Sequence, residues 1–429
     1  MIRTHFPLLI ITLVGLAFRT IDLDRVELAN LFYGSAIFSM GQSLSNFAFA
    51  AYDPLGTFMV DKPPLALWVQ TLFTKVLGYD GWVMVLPMAL AGTAAVPLLY
   101  LAVKKAFNTQ IALTSALLLA IFPESIATSR DSTMDSLVLL MLVLSAVILQ
   151  RSVELQSRRW LIAWAIVMGL AFNVKYFAAF VALPAFLIYI AVSWKEPKKQ
   201  AIKSIGLAIT SLVVVSLIWV TALELTPDDI RPRVMNDPDN SVYGLMLKYN
   251  GLNRVLPGEV TVFEPPPNSS PSTQSNYKWA ARRFGVGDAG FRLFSGANGP
   301  LLGTTSLLAL VGLYGLLRNI RTSRRDPSIL WIVWAITGMI LFSLSNRGAA
   351  HYVESFAPAL VVLSATGLID LWKAESGTRN LIAITLIAFY AAIAILPFPV
   401  LRSPILITSG CIILCAFIAI IVDRVIPGK

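Results

Sequence analysis

Acidic and basic side chains stand together at residues 61–64 (Asp-Lys-Pro-Pro), in an otherwise apolar sequence, and Asp53 precedes them closely. A carboxylate can take a proton from a reacting hydroxyl, and an ammonium group at a helix N-terminus suits a phosphate because the helix dipole favours anions. Structural alternatives remain open: Asp61 as the N-cap of a helix that begins at the prolines, and Asp53 as the anchor of an Asx turn.

Three further groups of ionisable residues interrupt apolar stretches: Arg130 with Asp131 and Asp135, Lys175 alone, and Arg347 with His351. Ionisable groups at membrane depth cost several kcal/mol and therefore indicate function by default. Each group again has a structural alternative, namely a helix cap at Asp131 or Ser132, a snorkelling side chain at Lys175, or a hydrogen-bonded surface group at His351. Taken together, the four groups predict a cavity for an anionic lipid headgroup.

The elements that must position these residues are membrane helices. Of the 429 residues, 56% are hydrophobic and 14% are charged, against about 45–50% and about 25% in soluble domains. This composition excludes an ordinary cytosolic enzyme, a disordered chain and a secreted disulfide module. The net charge of +10 is scattered between apolar runs, so it indicates no nucleic-acid partner. We predict an all-α polytopic membrane protein.

Apolar runs of about 20 residues can each cross the bilayer. Twelve spans are predicted, at residues 6–19, 82–103, 110–124, 134–150, 160–173, 176–194, 204–224, 300–317, 329–345, 353–372, 380–399 and 404–422. We interpret the first as a retained helix, because no small-residue cleavage site follows it. Alternate loops and the two ends carry 18 of the 34 Lys and Arg residues, which places both termini on the cytoplasmic side and the four ionisable groups on the outer side.

Two predicted outer segments, 20–81 and 225–299, are too long to be simple connections. The first has helical periodicity near residues 29–44 and 65–76, which predicts two amphipathic helices at the outer membrane surface. The second contains a proline-rich stretch and a glycine-rich end, and we interpret it as a partly ordered lid. The whole chain, 1–429, is expected to form a single transmembrane domain.

The sequence has no His/Cys cluster, no GxxxxGK[ST] and no GxGxxG after a strand, so neither a zinc site nor a nucleotide site is predicted. Convergence of Asp53, Asp61 and Asp135 on a divalent ion is an open alternative, although such an ion needs more oxygen ligands than these residues supply. An activated donor would therefore itself be a lipid, and no cofactor is expected.

Several blocks resemble one known family. The blocks are Asn30–Tyr33, Phe49–Pro54, Val60–Pro64, Leu67–Val69, Arg130–Asp135, Ala171–Lys175, Asn240–Val242, Tyr249–Leu252 and His351–Pro358. In order and spacing they resemble the glycosyltransferase-C superfamily, most closely bacterial members of family 39, whose relatives include protein O-mannosyltransferases and lipid A aminoarabinose transferases. Some close relatives continue into an outer soluble domain, whereas this sequence ends at Lys429, so we expect any acceptor-binding role of such a domain to be missing.

The resemblance implies transfer of a hexose or pentose from a polyprenyl-phosphate donor to an outer-face acceptor. It assigns phosphate binding to Lys62 and Lys175, and substrate contacts to Asp135 and His351. Arg130 is a further phosphate candidate on charge alone. The other donor-binding candidates are Arg347, Asn30, Tyr33, Tyr249 and Asn250.

One departure from the family concerns the general base. Many relatives carry an Asp-Glu pair early in the first outer loop, whereas the matching stretch here is Ala29-Asn30, and Glu27 is out of register. The role of catalytic base therefore passes to Asp61 or Asp53, with Asp61 first because Lys62 lies beside it.

The resemblance favours a metal-independent transferase in the cytoplasmic membrane. Its expected partners are a polyprenyl-phosphate sugar, membrane lipids, an envelope acceptor (lipid, polymer or protein) and the synthase that makes the donor. Two alternatives remain: a transporter or flippase of a lipid-linked sugar or other anionic lipid, and a non-catalytic membrane scaffold.

Overall fold

The computed structural model describes residues 2–26, 30–254, 309–310, 312–313, 328–345 and 350–373. The helices are α1 (Ile2–Thr20), α2 (Leu31–Met40), α3 (Leu44–Phe49), α4 (Leu65–Leu77), α5 (Gly81–Ala106), α6 (Thr109–Ala120), α7 (Pro123–Ser129), α8 (Asp135–Leu155), α9 (Arg158–Lys175), α10 (Leu183–Ser193), α11 (Lys198–Glu224), α12 (Ser328–Leu344) and α13 (Ala357–Lys373). The two strands are β1 (Phe58–Met59) and β2 (Arg233–Val234), which pair in parallel. The chain is therefore helical almost throughout its described part, as predicted.

Within the described residues, five helical runs are long and apolar enough to cross a membrane, with α9 and α10 counted together as the run Arg158–Ser193, or six if α6 and α7, bent by 51°, form one span. Helices α12 and α13 also occur at the predicted spans 329–345 and 353–372, but each is shorter than the 18 residues that this criterion requires. The predicted spans 380–399 and 404–422, and most of 300–317, lie outside the described residues. The structure confirms a multi-helix membrane architecture and leaves the number twelve as a prediction.

The run Arg158–Ser193 is continuous over 36 residues but is not one straight span. It doubles back at Tyr176, whose dihedral angles (φ 42°, ψ −133°) interrupt the helix. Gln156, just before the run, donates a hydrogen bond to the Ser193 carbonyl oxygen and accepts one from the Lys195 N–H. Because the run begins and ends beside the same residue, α9 and α10 are antiparallel segments, as the two predicted spans require.

The first long outer segment contains three helices instead of two. The first predicted helix ends at Met40, and the short α3 begins after Ser43, whose side chain accepts the Asn46 N–H as an N-cap. The pairing of β1 with β2 then joins this segment to the second long outer segment. Residues 225–254 of the second segment form turns and short helices, and its remainder lies outside the described residues.

The C-terminal end of α1 is anchored by a fully buried arginine. The Arg19 guanidinium donates to the hydroxyls of Ser125 and Ser129 and to three backbone carbonyls of α1 and α6. A buried charge needs this many partners, because leaving it unpaired is costly. These bonds fix α1 against the bend between α6 and α7, next to the motif that leads into α8.

Close packing of α9 against α11 depends on Gly169. A Cβ atom there would lie 2.7 Å from the Val215 Cβ and 3.1 Å from the Leu212 carbonyl oxygen. Gly169→Ala should therefore lower the free energy of unfolding by about 1–3 kcal/mol, measured as a lower Tm in detergent. Gly206→Ala on α11 is the matched control, since a Cβ atom added to Gly206 would meet no packing neighbour within 4 Å. Equal Tm values for the two variants would contradict this packing.

Candidate active site

A cavity of about 160 Å³ lies at the end of the helix bundle where α8 begins and α9 ends. Its lining combines amino, guanidinium and amide groups with apolar side chains. The polar lining residues are Lys62, Lys175, Asn250, Arg254, Ser345 and Tyr352, and the apolar ones include Phe177, Val181, Leu341 and Phe342. The opposite end of α8 carries the Lys105–Glu154 ion pair, among the residues predicted to face the cytoplasm.

Lys62 and Asn250 form one part of the polar lining, and Asp61 contacts Lys62 without lining the cavity itself. The Lys62 ammonium contacts Asp61 Oδ2 at 2.7 Å and the Asn250 side-chain oxygen at 3.0 Å. The Asn250 amide donates back to the Asp61 carbonyl oxygen at 2.8 Å. Asp61 and Lys62 are 8% and 7% exposed, so the two long outer segments meet here through buried polar contacts.

Asp135 and Lys175 form the second buried ion pair. Asp135 is the first residue of α8, Lys175 is the last residue of α9, and the Lys175 ammonium contacts Asp135 Oδ1. The same ammonium lies 4.8 Å from the centre of the Tyr352 ring, a distance at which the ring face attracts a cation. The side chains of Lys175 and Asp135 are 9% and 4% exposed.

Arg254 completes the polar lining, although no pattern in the sequence points to this residue. Its guanidinium donates to the Tyr352 hydroxyl at 2.9 Å and to the Asn250 side-chain oxygen at 3.4 Å. It also lies 5.1 Å from the centre of the Tyr249 ring, which Lys62 approaches at 5.5 Å. Three cations from separate segments therefore converge on the cavity.

His351 and Tyr33 lie within the electrostatic field of this cluster. Burial lowers the pKa of His351 to about 4; Lys175 and the other cations add to this effect, and Asp135 opposes it. His351 is consequently neutral at pH 7, with its ring edge-on to Tyr352 at 4.8 Å. Burial, together with the charges of Asp61 and Asp135, holds the pKa of Tyr33 well above its usual value, so both side chains can act as neutral hydrogen-bonding groups.

The structure separates Asp53 from this cluster. Its carboxylate accepts N–H bonds from Leu55, Thr57 and Phe58, which confirms the Asx-turn alternative. Although partial burial opposes the effect, these bonds lower the pKa of Asp53. A carboxylate that is stabilised in this way is a weaker base, which argues against the catalytic role predicted for Asp53.

Arg130 and Asn30 also serve local structure. Arg130 donates to the carbonyl oxygens of Phe18, Ile21 and Asp22, and it does not line the cavity. The Asn30 side chain accepts the Tyr33 N–H as the N-cap of α2. Neither residue contacts the two lysines through any bond that the structure describes, so the roles predicted for them in donor binding gain no support. Arg347 lies outside the described residues.

Three structural alternatives for the charged motifs are wrong. Pro64, not Asp61, occupies the N-cap position of α4, and no side-chain capping bond is present there. Lys175 does not snorkel, because it is buried against Asp135. The N-cap position of α8 is held by Met134 without a side-chain bond, so Asp131 does not cap that helix. The buried charges therefore keep their functional interpretation.

Lys62 should make donor binding depend on pH. Burial lowers the pKa of Lys62 to about 8. The positive charge of Arg254 adds to this lowering, and the negative charge of Asp61 opposes it. The ammonium is charged below pH 8 and becomes neutral above it, so affinity for polyprenyl phosphate should weaken by up to about tenfold per pH unit above 8. Titrations between pH 6.5 and 9.5 measure this effect. Lys62→Arg should bind without this alkaline decline, because a guanidinium stays charged; the same decline in both proteins would refute the assignment.

Comparison with known proteins points to the same region of the chain. Residues 61–219, which include both ion pairs, match the family described as dolichyl-phosphate-mannose-protein mannosyltransferase. YycA of Bacillus subtilis (strain 168), provisionally named a mannosyltransferase, is 28% identical over 88% of this chain, and the chain spans 65% of that relative.

Solved structures share the fold. ArnT from Cupriavidus metallidurans, bound to undecaprenyl phosphate, superimposes with a TM-score of 0.65 at 17% identity, covering 97% of this chain and 72% of ArnT. The Archaeoglobus fulgidus oligosaccharyltransferase in its apo form gives 0.58 at 16% identity, covering 95% of this chain and 55% of the other. The fold is that of the polytopic glycosyltransferase-C proteins. These findings support the resemblance drawn from the motifs: residues 61–219 match the dolichyl-phosphate-mannose-protein mannosyltransferase family, and nearly the whole chain shares the fold of ArnT.

Proposed function

We propose that this protein transfers a sugar from a polyprenyl-phosphate donor to an acceptor on the outer face of the cytoplasmic membrane. The observation that carries the proposal is the mixed lining of the cavity, where three cations and several apolar side chains border the same space. Such a site fits a ligand with an anionic phosphate and a hydrocarbon tail, because charge-assisted hydrogen bonds hold the phosphate while apolar burial holds the chain. The undecaprenyl phosphate bound to the structural neighbour ArnT has this chemistry.

Charge stabilisation supplies the main catalytic effect in this proposal. When the sugar leaves, the phosphate oxygen keeps the bonding electrons, and Lys62, Lys175 and Arg254 stabilise the charge that develops there. Because three cations are available for this purpose, we propose that neither a metal ion nor a cofactor is required. His351, Tyr33 and Asn250 supply neutral hydrogen-bonding groups for the sugar and for the site.

Asp61 is the proposed general base, which takes the proton of the acceptor hydroxyl. Because Asp61 does not line the donor cavity, the acceptor would approach this carboxylate from outside the cavity while the donor phosphate contacts Lys62 from within it. Its Oδ2 contacts Lys62, while its buried Oδ1 has no hydrogen-bond partner among the described residues. An unpartnered buried carboxylate oxygen is costly to keep, which favours a role during the reaction. General-base catalysis is worth about 10²–10⁴-fold.

The position in the membrane follows from the same proposal. The site lies at the bundle end opposite the basic residues that the positive-inside rule assigns to the cytoplasm, so it would face outward while both termini stay inside. The proposed acceptor is an envelope lipid, polymer or protein, and the donor would come from a polyprenyl-phosphate-sugar synthase in the same membrane. The lid-like role of 225–299 and the single-domain organisation remain part of this proposal.

Turnover in liposomes tests the proposal. Purified protein is given a panel of radiolabelled polyprenyl-phosphate hexoses and pentoses with crude envelope extract, and the release of free polyprenyl phosphate is measured. Release from one donor, with the label recovered on an extract component, is the expected result. A labelled donor that crosses the bilayer intact, without release, would contradict the proposal and favour the transporter.

A further inference from the structure

The two carboxylates of the site lie behind the lysines, not beside the cavity. Lys62 and Lys175 line the cavity, whereas Asp61 and Asp135 do not. Each carboxylate instead contacts its lysine, at 2.7 Å for Asp61 and at 2.5 Å for Asp135. A phosphate that reaches either lysine from the cavity therefore meets an ammonium group that already has an anionic partner.

The charges of this cluster match the donor better than the product. Among the residues that the structure describes, three cations and two carboxylates of the cluster leave one net positive charge. A phosphodiester such as the lipid-linked donor carries one negative charge, whereas a phosphomonoester carries about −1.5 to −2 at pH 7. Without the carboxylates the same cations would favour the more highly charged product.

We propose that Asp135 competes with the lipid phosphate for Lys175, which weakens the binding of polyprenyl phosphate and allows the product to leave. The inference rests on the proposed function, because it concerns the same phosphate site. Asp135 is suited to this role because its Oδ1 contacts the Lys175 ammonium, while its buried Oδ2 has no hydrogen-bond partner among the described residues. It acts through Lys175 and is a positioning residue that does not touch the reacting atoms.

The charge balance follows the reaction. The bond between the sugar and the phosphate oxygen breaks, the oxygen keeps the electron pair, and the acceptor oxygen bonds to the sugar while its proton moves to Asp61. Protonated Asp61 no longer offsets a cation, so the cluster gains one positive charge as the product gains one negative charge. Once Asp61 returns its proton to water, the cluster again matches a monoanion, and Lys175 can exchange the product for Asp135.

Binding to the wild-type protein gives the first test. Undecaprenyl phosphate, a monoester, and undecaprenyl methyl phosphate, a diester with no sugar, are titrated at pH 7.5 into protein in nanodiscs. The two Kd values should agree within about threefold despite the difference in charge. A preference of about tenfold or more for the monoester would overturn the inference, however any variant behaves. If neither lipid binds, the proposed donor site itself is wrong.

Removing the competing charge gives the second test. Asp135→Asn should bind undecaprenyl phosphate about tenfold more tightly than the wild type, with a smaller gain for the diester. Its turnover should show one rapid release per enzyme followed by a slower steady rate. Asp135→Glu keeps the charge and should resemble the wild type. Unchanged or weaker binding by an Asp135→Asn protein with a normal Tm would overturn the inference.

A double-mutant cycle shows whether the effect passes through Lys175. In a Lys175→Met background, the additional change Asp135→Asn should leave affinity for the monoester unaltered, because no ammonium remains for which the two anions compete. A tenfold gain that persists without Lys175 would show that Asp135 acts on the phosphate by direct repulsion, and would overturn the mechanism.

Discussion

Replacing Lys175 by Met is expected to reduce kcat/KM by about a thousandfold, equivalent to about 4 kcal/mol. The substitution removes one of the three cations that stabilise the leaving phosphate. It also leaves Asp135 buried and negatively charged without its partner, and breaking a buried pair in this way costs about 3–5 kcal/mol. Release of free polyprenyl phosphate from the donor measures the effect, and Tm in detergent reports any accompanying loss of stability.

Lys248→Met is the matched control for this variant. Lys248 also lies in the region near the site and forms an ion pair, with Asp239, but these side chains are 60% and 71% exposed. Exposed pairs contribute only about 0–1 kcal/mol, so its kcat/KM should stay within a few-fold of the wild type. Similar losses in both variants would show that general surface charge, and not the buried cluster, drives donor binding.

Asp61→Asn should lower kcat by about 10²–10⁴-fold, because the acceptor hydroxyl loses its general base. Affinity for polyprenyl phosphate should not fall, since the substitution removes a negative charge next to Lys62. Steady-state release assays give kcat, and binding in nanodiscs gives the affinity. A normal kcat in a folded Asp61→Asn protein would remove Asp61 from the mechanism.

Asp53→Asn distinguishes the two carboxylates that the sequence leaves open. Asp53 accepts backbone N–H bonds across the turn that ends at Phe58, so its amide variant should lose stability by about 1 kcal/mol. Its kcat should change far less than that of Asp61→Asn. The reverse ranking of the two kcat values would assign the base to Asp53.

Most of the charged residues of the site could be predicted from the sequence alone. Lys62, Asp135 and Lys175 are predictable because ionisable groups are rare and costly within apolar sequence, so their presence there indicates a function. Their pairing could not be predicted, because Asp135 and Lys175 meet only when α8 and α9 pack antiparallel. Asp53 illustrates the converse: nothing in the sequence separates a carboxylate that accepts turn N–H groups from one that is free to react.

Arg254 shows where sequence reasoning ends. It follows a block that resembles the family, but it lies in a long segment without helical or strand periodicity, where a basic residue carries no positional signal. Its contacts with Asn250 and Tyr352 depend on two tertiary features. One is the parallel pairing of β1 with β2, and the other is the turn before α13 that presents Tyr352.

Photolabelling of the cavity tests the central claim most directly, namely that a polyprenyl phosphate occupies it. Undecaprenyl phosphate with a diazirine on its first isoprene unit is irradiated with the protein in nanodiscs, and labelled peptides are mapped by mass spectrometry. Labels are expected on the apolar lining residues, at 177–181 and 341–342, and unlabelled undecaprenyl phosphate should compete for them. Competed labels on α2 or α4, with none on these apolar lining residues, would show that polyprenyl phosphate binds outside the cavity and would contradict the proposal.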